Sequence, residues 1–258
     1  MPMGVRSAAG RRTVTAGLSA VILIGVWGLV AAISPSRTLP APWEVATALG
    51  DEITSGRLPW HLFCTLSRVS AAFLLAMSLG SAIGIAMGRH RAVNEALDLW
   101  LVVLLNLPAL VIIIMAYMWF GLTEAAAIGA VALNKLPNVV VTLREGARAL
   151  DPDLDQMARA FRLSWRKRMA HVVLPQLTPY FAASARSGLA LVWKIVLVVE
   201  LLGRSNGIGF QLNMFFQLFD MASILAYAIS FVAVMLAAEM LILQPFERRA
   251  NRWRVRTA

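Results

Sequence analysis

The sequence predicts an all-α, polytopic membrane protein with about six transmembrane helices and a two-helix loop on one face. Three observations carry that expectation. Hydrophobic residues make up 59% of the 258 residues and charged residues 15%, whereas soluble domains average about 45–50% and about 25%. Six apolar stretches, at about 17–33, 62–88, 97–120, 125–143, 176–202 and 222–243, approach the roughly 20 residues that cross a bilayer. Basic residues also segregate to alternate loops. One set holds Arg6, Arg11, Arg12, Arg89, Arg91, Arg144, Arg148, Arg159, Arg162, Arg166, Lys167, Arg168, Arg248, Arg249, Arg252, Arg254 and Arg256; the other holds only Arg37, Arg57 and Arg204.

The positive-inside rule puts the first set, and both termini, in the cytoplasm. The expected organisation is a cytoplasmic tail (1–16), a six-span domain (17–243) containing a cytoplasmic loop (151–175), and a basic cytoplasmic tail (244–258). The net charge of +10 follows from the same rule. It does not indicate nucleic-acid binding, because the basic residues lie at membrane edges and not on a soluble face.

The first stretch follows Arg11-Arg12, a faint likeness to a twin-arginine export signal. Its span length and the absence of a small-residue cleavage site after it favour an uncleaved helix. The second stretch carries Ala76, Gly80, Gly84 and Gly88 at intervals of four. Such a stripe admits a close neighbour, either a helix of the same chain or a second copy. Arg68 in the same stretch either snorkels to the outer interface or faces a pathway or a partner helix. Pro108 and Pro137 favour kinks in the third and fourth stretches. Asn134 and Lys135 just before Pro137 suggest a segment partly open to water or protein.

Lys135, Arg186, Lys194 and Glu200 are charged residues within spans, where ionisable groups are expensive, and they are the candidates for a translocation pathway. Arg186 and Glu200, 14 residues apart, share one helix face within roughly 40° but lie roughly 21 Å apart along it. Each either faces the pathway or holds a loop at its own end. A pathway lined by positive charge suits an anionic solute. Catalytic and metal chemistry find no constellation: the single Cys64 forms no intramolecular disulfide, and His61, His90 and His171 have no metal-ligand spacing.

The 151–175 loop reads as two short helices. Asp151 is a good N-cap, Pro152 fits the first helical position, and Asp153 and Asp155 suit the positive end of the helix dipole. Leu154, Met157, Ala158 and Phe161 form one apolar face. Ser164 caps a second helix with Trp165, Met169, Val172 and Val173 on its apolar side. Two readings stand: an amphipathic pair lying on anionic lipid, or a surface that couples to a soluble partner.

With these residues in view, the chain resembles the inner-membrane permeases of binding-protein-dependent bacterial ABC importers. Their cytoplasmic motif is E-A-A, three residues, G, nine residues, I-x-L-P. It aligns with Gln156-Met157-Ala158, Arg162 and Val172-Val173-Leu174-Pro175, with the spacing kept. Leu39-Pro40-Ala41-Pro42, Trp119-Phe120-Gly121-Leu122, Glu200-Leu201-Leu202-Gly203 and Gly207-Ile208-Gly209-Phe210 resemble segments of the nitrate, sulfonate and taurine branch. Gln156 stands where the family has an acid, Met157 where it has alanine and Arg162 where it has glycine. Glycine permits a left-handed joint there. Arginine either keeps the joint right-handed or bears a strain of about 1 kcal/mol.

The resemblance implies a permease paired with a second copy of itself, two cytoplasmic ATPase subunits and a periplasmic solute-binding protein, in the bacterial inner membrane. ATP and Mg would sit on the ATPase, since this chain holds no G-x-x-x-x-G-K-[ST] phosphate loop. The chain itself would bind no cofactor and no metal, and would be a transport subunit, not an enzyme. Coupling would fall to Gln156, Ala158, Phe161, Arg162, Leu163, Ser164 and Trp165. The cargo would be a small anion of the sulfonate, taurine or nitrate kind. An ion-driven secondary transporter and a membrane-embedded enzyme are the rival readings. The first calls for more spans and inverted repeats, the second for a reactive cluster within the spans.

Overall fold

The computed structural model describes residues 4–33 and 38–245. Arg37 and the basic residues expected in the C-terminal tail from Arg248 onward lie outside them. The described residues form eleven α-helices and two π-helical turns, with no β-strand among them.

The chain divides into two compact units, residues 1–60 with 211–230 and residues 61–210 with the segment from 231 onward. In the first unit, helix α1 (Gly4–Ile33) and helix α2 (Pro42–Thr54) are tied by Trp27 Nε1, which donates to the Pro40 carbonyl at 3.0 Å. Pro42 opens α2, and the Glu44 carboxylate accepts from the Ala41 amide at 2.9 Å. Later in the chain come α10 (Ile208–Gln217) and α11 (Met221–Ala238). Within the first unit, Tyr227 of α11 is fully buried; its hydroxyl donates to Glu52 at 2.7 Å, and Glu52 pairs with Arg57 at 2.6 Å. Helices α2 and α10 fall in segments between the expected spans, where the sequence predicts no element.

The second unit is built on α3 (Arg57–Arg89, from residue 61), α6 (Glu124–Arg148) and α9 (Leu174–Gly203). The small-residue stripe of α3 packs on α6 of the same chain, so the intramolecular alternative is the one the structure shows. A Cβ added at Gly84 would stand 2.6 Å from the Val140 carbonyl oxygen, and one at Gly88 2.6 Å from Ala147 Cβ. Ala76 is fully buried. Only glycine allows backbones to approach this closely.

The third expected span is broken. Helices α4 (Arg91–Asn106) and α5 (Ala109–Phe120) meet at 100°. Pro108 forces the preceding residue out of the helical region, and Leu107 is accordingly extended at ψ 125°. Helix α6, by contrast, runs unbroken through Pro137, which is buried.

By length and apolarity, three described helices suffice to cross a membrane, Arg57–Arg89, Glu124–Arg148 and Met221–Leu243, or four with the bent pair. The first and fifth expected segments are also helical. The apolar part of α1 is short, Val21–Ile33, and α9 carries Pro175, Pro179, Arg186, Lys194 and Glu200.

Candidate functional site

Two dissimilar structures occupy the ends of α9. At its start lies the loop. Helix α7 (Pro152–Ala160) begins at Asp151, whose side chain accepts from the Asp153 amide at 2.8 Å. It ends in a Schellman turn: Leu163 N donates to the Ala158 carbonyl and Arg162 N to the Arg159 carbonyl, both at 2.9 Å. This closure demands a left-handed residue, and Arg162 supplies it at φ 49°. The strain is therefore carried, not avoided.

Ser164 then caps α8 (Trp165–Arg168), accepting from the Lys167 amide. Helix α8 passes through a π-helical turn, Met169–Val173, directly into α9. The wide turn suits Pro175, which has no N–H to continue the regular ladder. Gln176 completes the joint. Its amide donates to the Val172 carbonyl at 2.9 Å, and its side-chain oxygen accepts from the Asp151 amide at 2.9 Å. Ala147, Val173 and Leu177 form a small core beneath the loop, with Leu150, Met169 and Tyr180 packed around it. The second loop helix and the long helix thus form one body.

Asp155 joins the two short helices, accepting from Arg168 Nε at 2.6 Å and from Arg159 Nη2 at 3.2 Å. Burial pushes the Asp155 carboxyl up, but the Arg168 hydrogen bond and the charges of Arg168, Arg159 and Arg89 outweigh it and hold the group below the usual carboxylate range. The apolar residues around the turn are left bare: Phe161 is 75% exposed and Trp165 71%. Gln156, Arg162 and Ser164 are exposed, Leu163 is partly buried, and Ala158 is fully buried. Ala158 therefore seats α7 and does not present a surface.

The far end of α9, roughly 45 Å away at 1.5 Å per residue, holds a buried polar network. Arg68 is 4% exposed and does not snorkel. Its Nε and Nη2 clasp Glu124 at 2.8 and 2.6 Å, and its Nη1 donates to Glu200 at 2.7 Å and to the Asn206 carbonyl at 2.9 Å. The second oxygen of Glu200 accepts from Thr65 and from the Gly209 amide, each at 2.9 Å. Thr65 accepts from the Ile208 amide at 2.8 Å, and His61 Nδ1 from the Gly207 amide at 2.9 Å. Arg204 bonds Glu124 at 2.6 Å and the Leu122 carbonyl.

The glycines of the motifs find their reasons here. Gly207, at φ +108°, lies against the Glu200 carboxylate, Gly209 against the Leu197 carbonyl, and Gly203 against the Tyr117 ring. Glu200 is therefore a residue that holds a loop. The sequence alone does not reveal Arg68 and Thr65 as its partners, nor Glu124 as the second partner of Arg68; the G-I-G-F segment is the available signal. Among the other charged residues, Lys135 is buried within α6, and Arg186 and Lys194 are exposed on α9.

The model of the family described as binding-protein-dependent transport system inner membrane component matches residues 76–250. The chain belongs to this family. A protein of Escherichia coli (strain K12) named as an aliphatic sulfonates transport permease is 32% identical, over 90% of this chain and 88% of its own. Its Bacillus subtilis (strain 168) counterpart is 28% identical over 90% and 85%. The nitrate import permease protein of Leptolyngbya laminosa is 26% identical over 78% and 74%. The fold is that of a crystal structure of an amino acid ABC transporter with histidines, at TM-score 0.61 and 21% identity, over 78% of this chain and 97% of that one. The chain is a permease subunit of an ABC importer, of the nitrate and sulfonate branch.

Proposed function

We propose that this permease moves a small anion of the sulfonate, taurine or nitrate kind across the bacterial inner membrane. In this reading both termini and the α7–α8 loop face the cytoplasm. Two copies form the pathway, two ATPase subunits bind the loops, and a periplasmic binding protein delivers the solute. The observation that carries it is the bare Phe161–Trp165 turn, built into one body with α9 through the π-helical turn. An exposed aromatic pair on an ordered turn is what a hydrophobic cleft recognises. A push on Trp165 is then delivered along α9. ATP-driven closure of the ATPase pair would draw the two loops together and tilt the spans, a population shift set by unequal affinity for the two states.

Gln156, Phe161, Arg162, Leu163, Ser164 and Trp165 form the coupling surface, with Ala158 beneath it. The relatives named for sulfonates and nitrate support the anionic cargo. The lipid-surface reading draws on Trp165 beside the exposed Arg166 and Lys167. One experiment separates the two readings. The complex with its ATPase is reconstituted in nanodiscs, and ATP hydrolysis is measured with and without loaded binding protein. Trp165→Asp is expected to insert normally, lose ATPase association and drop stimulated hydrolysis by about tenfold or more, the equivalent of about 1.4 kcal/mol of coupling. Native association and hydrolysis in this variant would return the loop to the lipid surface.

A further inference from the structure

We infer that Lys135 is the mid-membrane contact for the anionic head of the transported solute, an inference that rests on the anionic-cargo reading above. Lys135 sits 11 residues into α6 and 13 from its end, about 16 Å and about 20 Å from the two helix ends at 1.5 Å per residue. That depth is beyond the reach of snorkelling to either interface. Its side chain is 1% exposed. Among the described residues its amine makes no hydrogen bond and no ion pair. Acidic groups are remote or engaged: Glu200, the buried carboxylate of α9, is 12 residues up from Gly188 and saturated by Arg68, Thr65 and Gly209.

The site is shaped to hold the amine. Gly188 of α9 faces it; a Cβ there would stand 2.5 Å from Lys135 Cε and 3.2 Å from Nζ, with Phe73 of α3 3.5 Å from the same point. Three helices that pack in one unit therefore meet at a cation. One turn earlier on α9, the buried Ser184 hydroxyl has, among the described residues, the Met77 sulfur at 3.8 Å as its partner. An ammonium is a donor with no acceptor capacity. Left unpaired at this depth it is costly, and a methionine of similar length would fill the space without that cost. The missing counter-charge is one that the cargo can bring. A cation is repelled there and a neutral apolar solute gains nothing. The side chain packs against Gly188 in this conformation, with Phe73 beside that contact, and separation of α6 from α9 during transport would uncover it.

The test uses the complete importer in proteoliposomes, with uptake of ethanesulfonate and of nitrate as probes. Lys135→Met is expected to lower anion uptake by about tenfold or more while raising the thermal unfolding midpoint of the complex, because an unpaired buried charge is removed. A structural lysine would give the opposite sign in stability. Gly188→Ala, whose new methyl displaces the amine, is expected to lower uptake as well, and adding it to Lys135→Met to cause little further loss. Native uptake rates in Lys135→Met, or a lowered midpoint with lost uptake, would overturn the inference alone. A native importer that carries neither probe but accumulates a neutral or cationic solute would overturn the anionic-cargo reading, and this inference with it. If Lys135→Met fails to assemble, Lys135→Gln is scored by the same criteria.

Discussion

The two ends of α9 use opposite chemistry. At the loop end, aromatic side chains are exposed, the short helices rest on a small core, and a left-handed arginine closes the turn. At the far end, an arginine and a glutamate are almost wholly withdrawn from solvent, with every carboxylate oxygen of Glu200 engaged. An exposed apolar turn is stabilised fully only when a partner covers it. A saturated buried ion pair is complete within the chain. The loop therefore leaves apolar surface uncovered within the chain, whereas the network holds α3, the start of α6 and the α9–α10 turn as one end of the unit.

Breaking the network should have the larger effect on stability. Arg68→Met leaves Glu200 buried without its cation, and losing one member of a buried pair costs about 3–5 kcal/mol. The expected outcome is a large fall in the thermal midpoint of the detergent-solubilised chain. A midpoint within a degree or two of the native value would show that the network is dispensable. Arg68→Lys should rescue it only in part, since lysine cannot clasp Glu124 with two parallel hydrogen bonds.

The loop end responds in the other direction. Arg162→Gly relieves the left-handed strain and should stabilise the loop by about 1 kcal/mol, less the entropy glycine adds to the unfolded chain. Hydrogen exchange across 152–163 reads this directly: slower exchange is expected, and faster exchange would mean that the arginine side chain contributes more than its backbone strain costs.

The smallest effect concerns pH. Asp155 is held below its ordinary range in the folded loop. A depressed carboxylate stabilises the folded state above its unfolded pKa of about 3.9 and loses that contribution as pH falls through the folded value. Exchange across the loop should be insensitive to Asp155 protonation between about pH 5 and 7 and should rise below about pH 4. Asp155→Asn should remove that step. An equal step in the variant would assign it to other carboxylates.

Local features were legible in the chain because they depend on near neighbours. The Asp151 and Ser164 caps, the break at Pro108 and the choice posed by Arg162 all follow from residues within one or two turns. The choice itself was settled by the Schellman hydrogen bonds of Leu163 and Arg162. The small residues of α3 announced a close neighbour without naming it; α6 took that place through Val139, Val140 and Ala147. Arg68 is the clearest case of what was not legible. Its partners lie 56 and 132 residues along the chain, so the sequence leaves snorkelling to water and facing a pathway or partner helix equally open. Gln176, which clamps the loop to α9 through an amide 25 residues away, was silent for the same reason.

By itself the sequence determined an all-α membrane protein, its basic-loop asymmetry, the two capped helices of the loop and the family to which the motif spacing belongs. These are set by apolar run length, by charge and by backbone preferences that act over a few residues. Only the tertiary structure decided which charges are paired, which glycines are pressed against a neighbour, which loop residues are bare and that Lys135 stands alone among the described side chains at mid-span. Those outcomes depend on segments brought together from distant parts of the chain, where burial turns an ordinary side chain into a brace or a site.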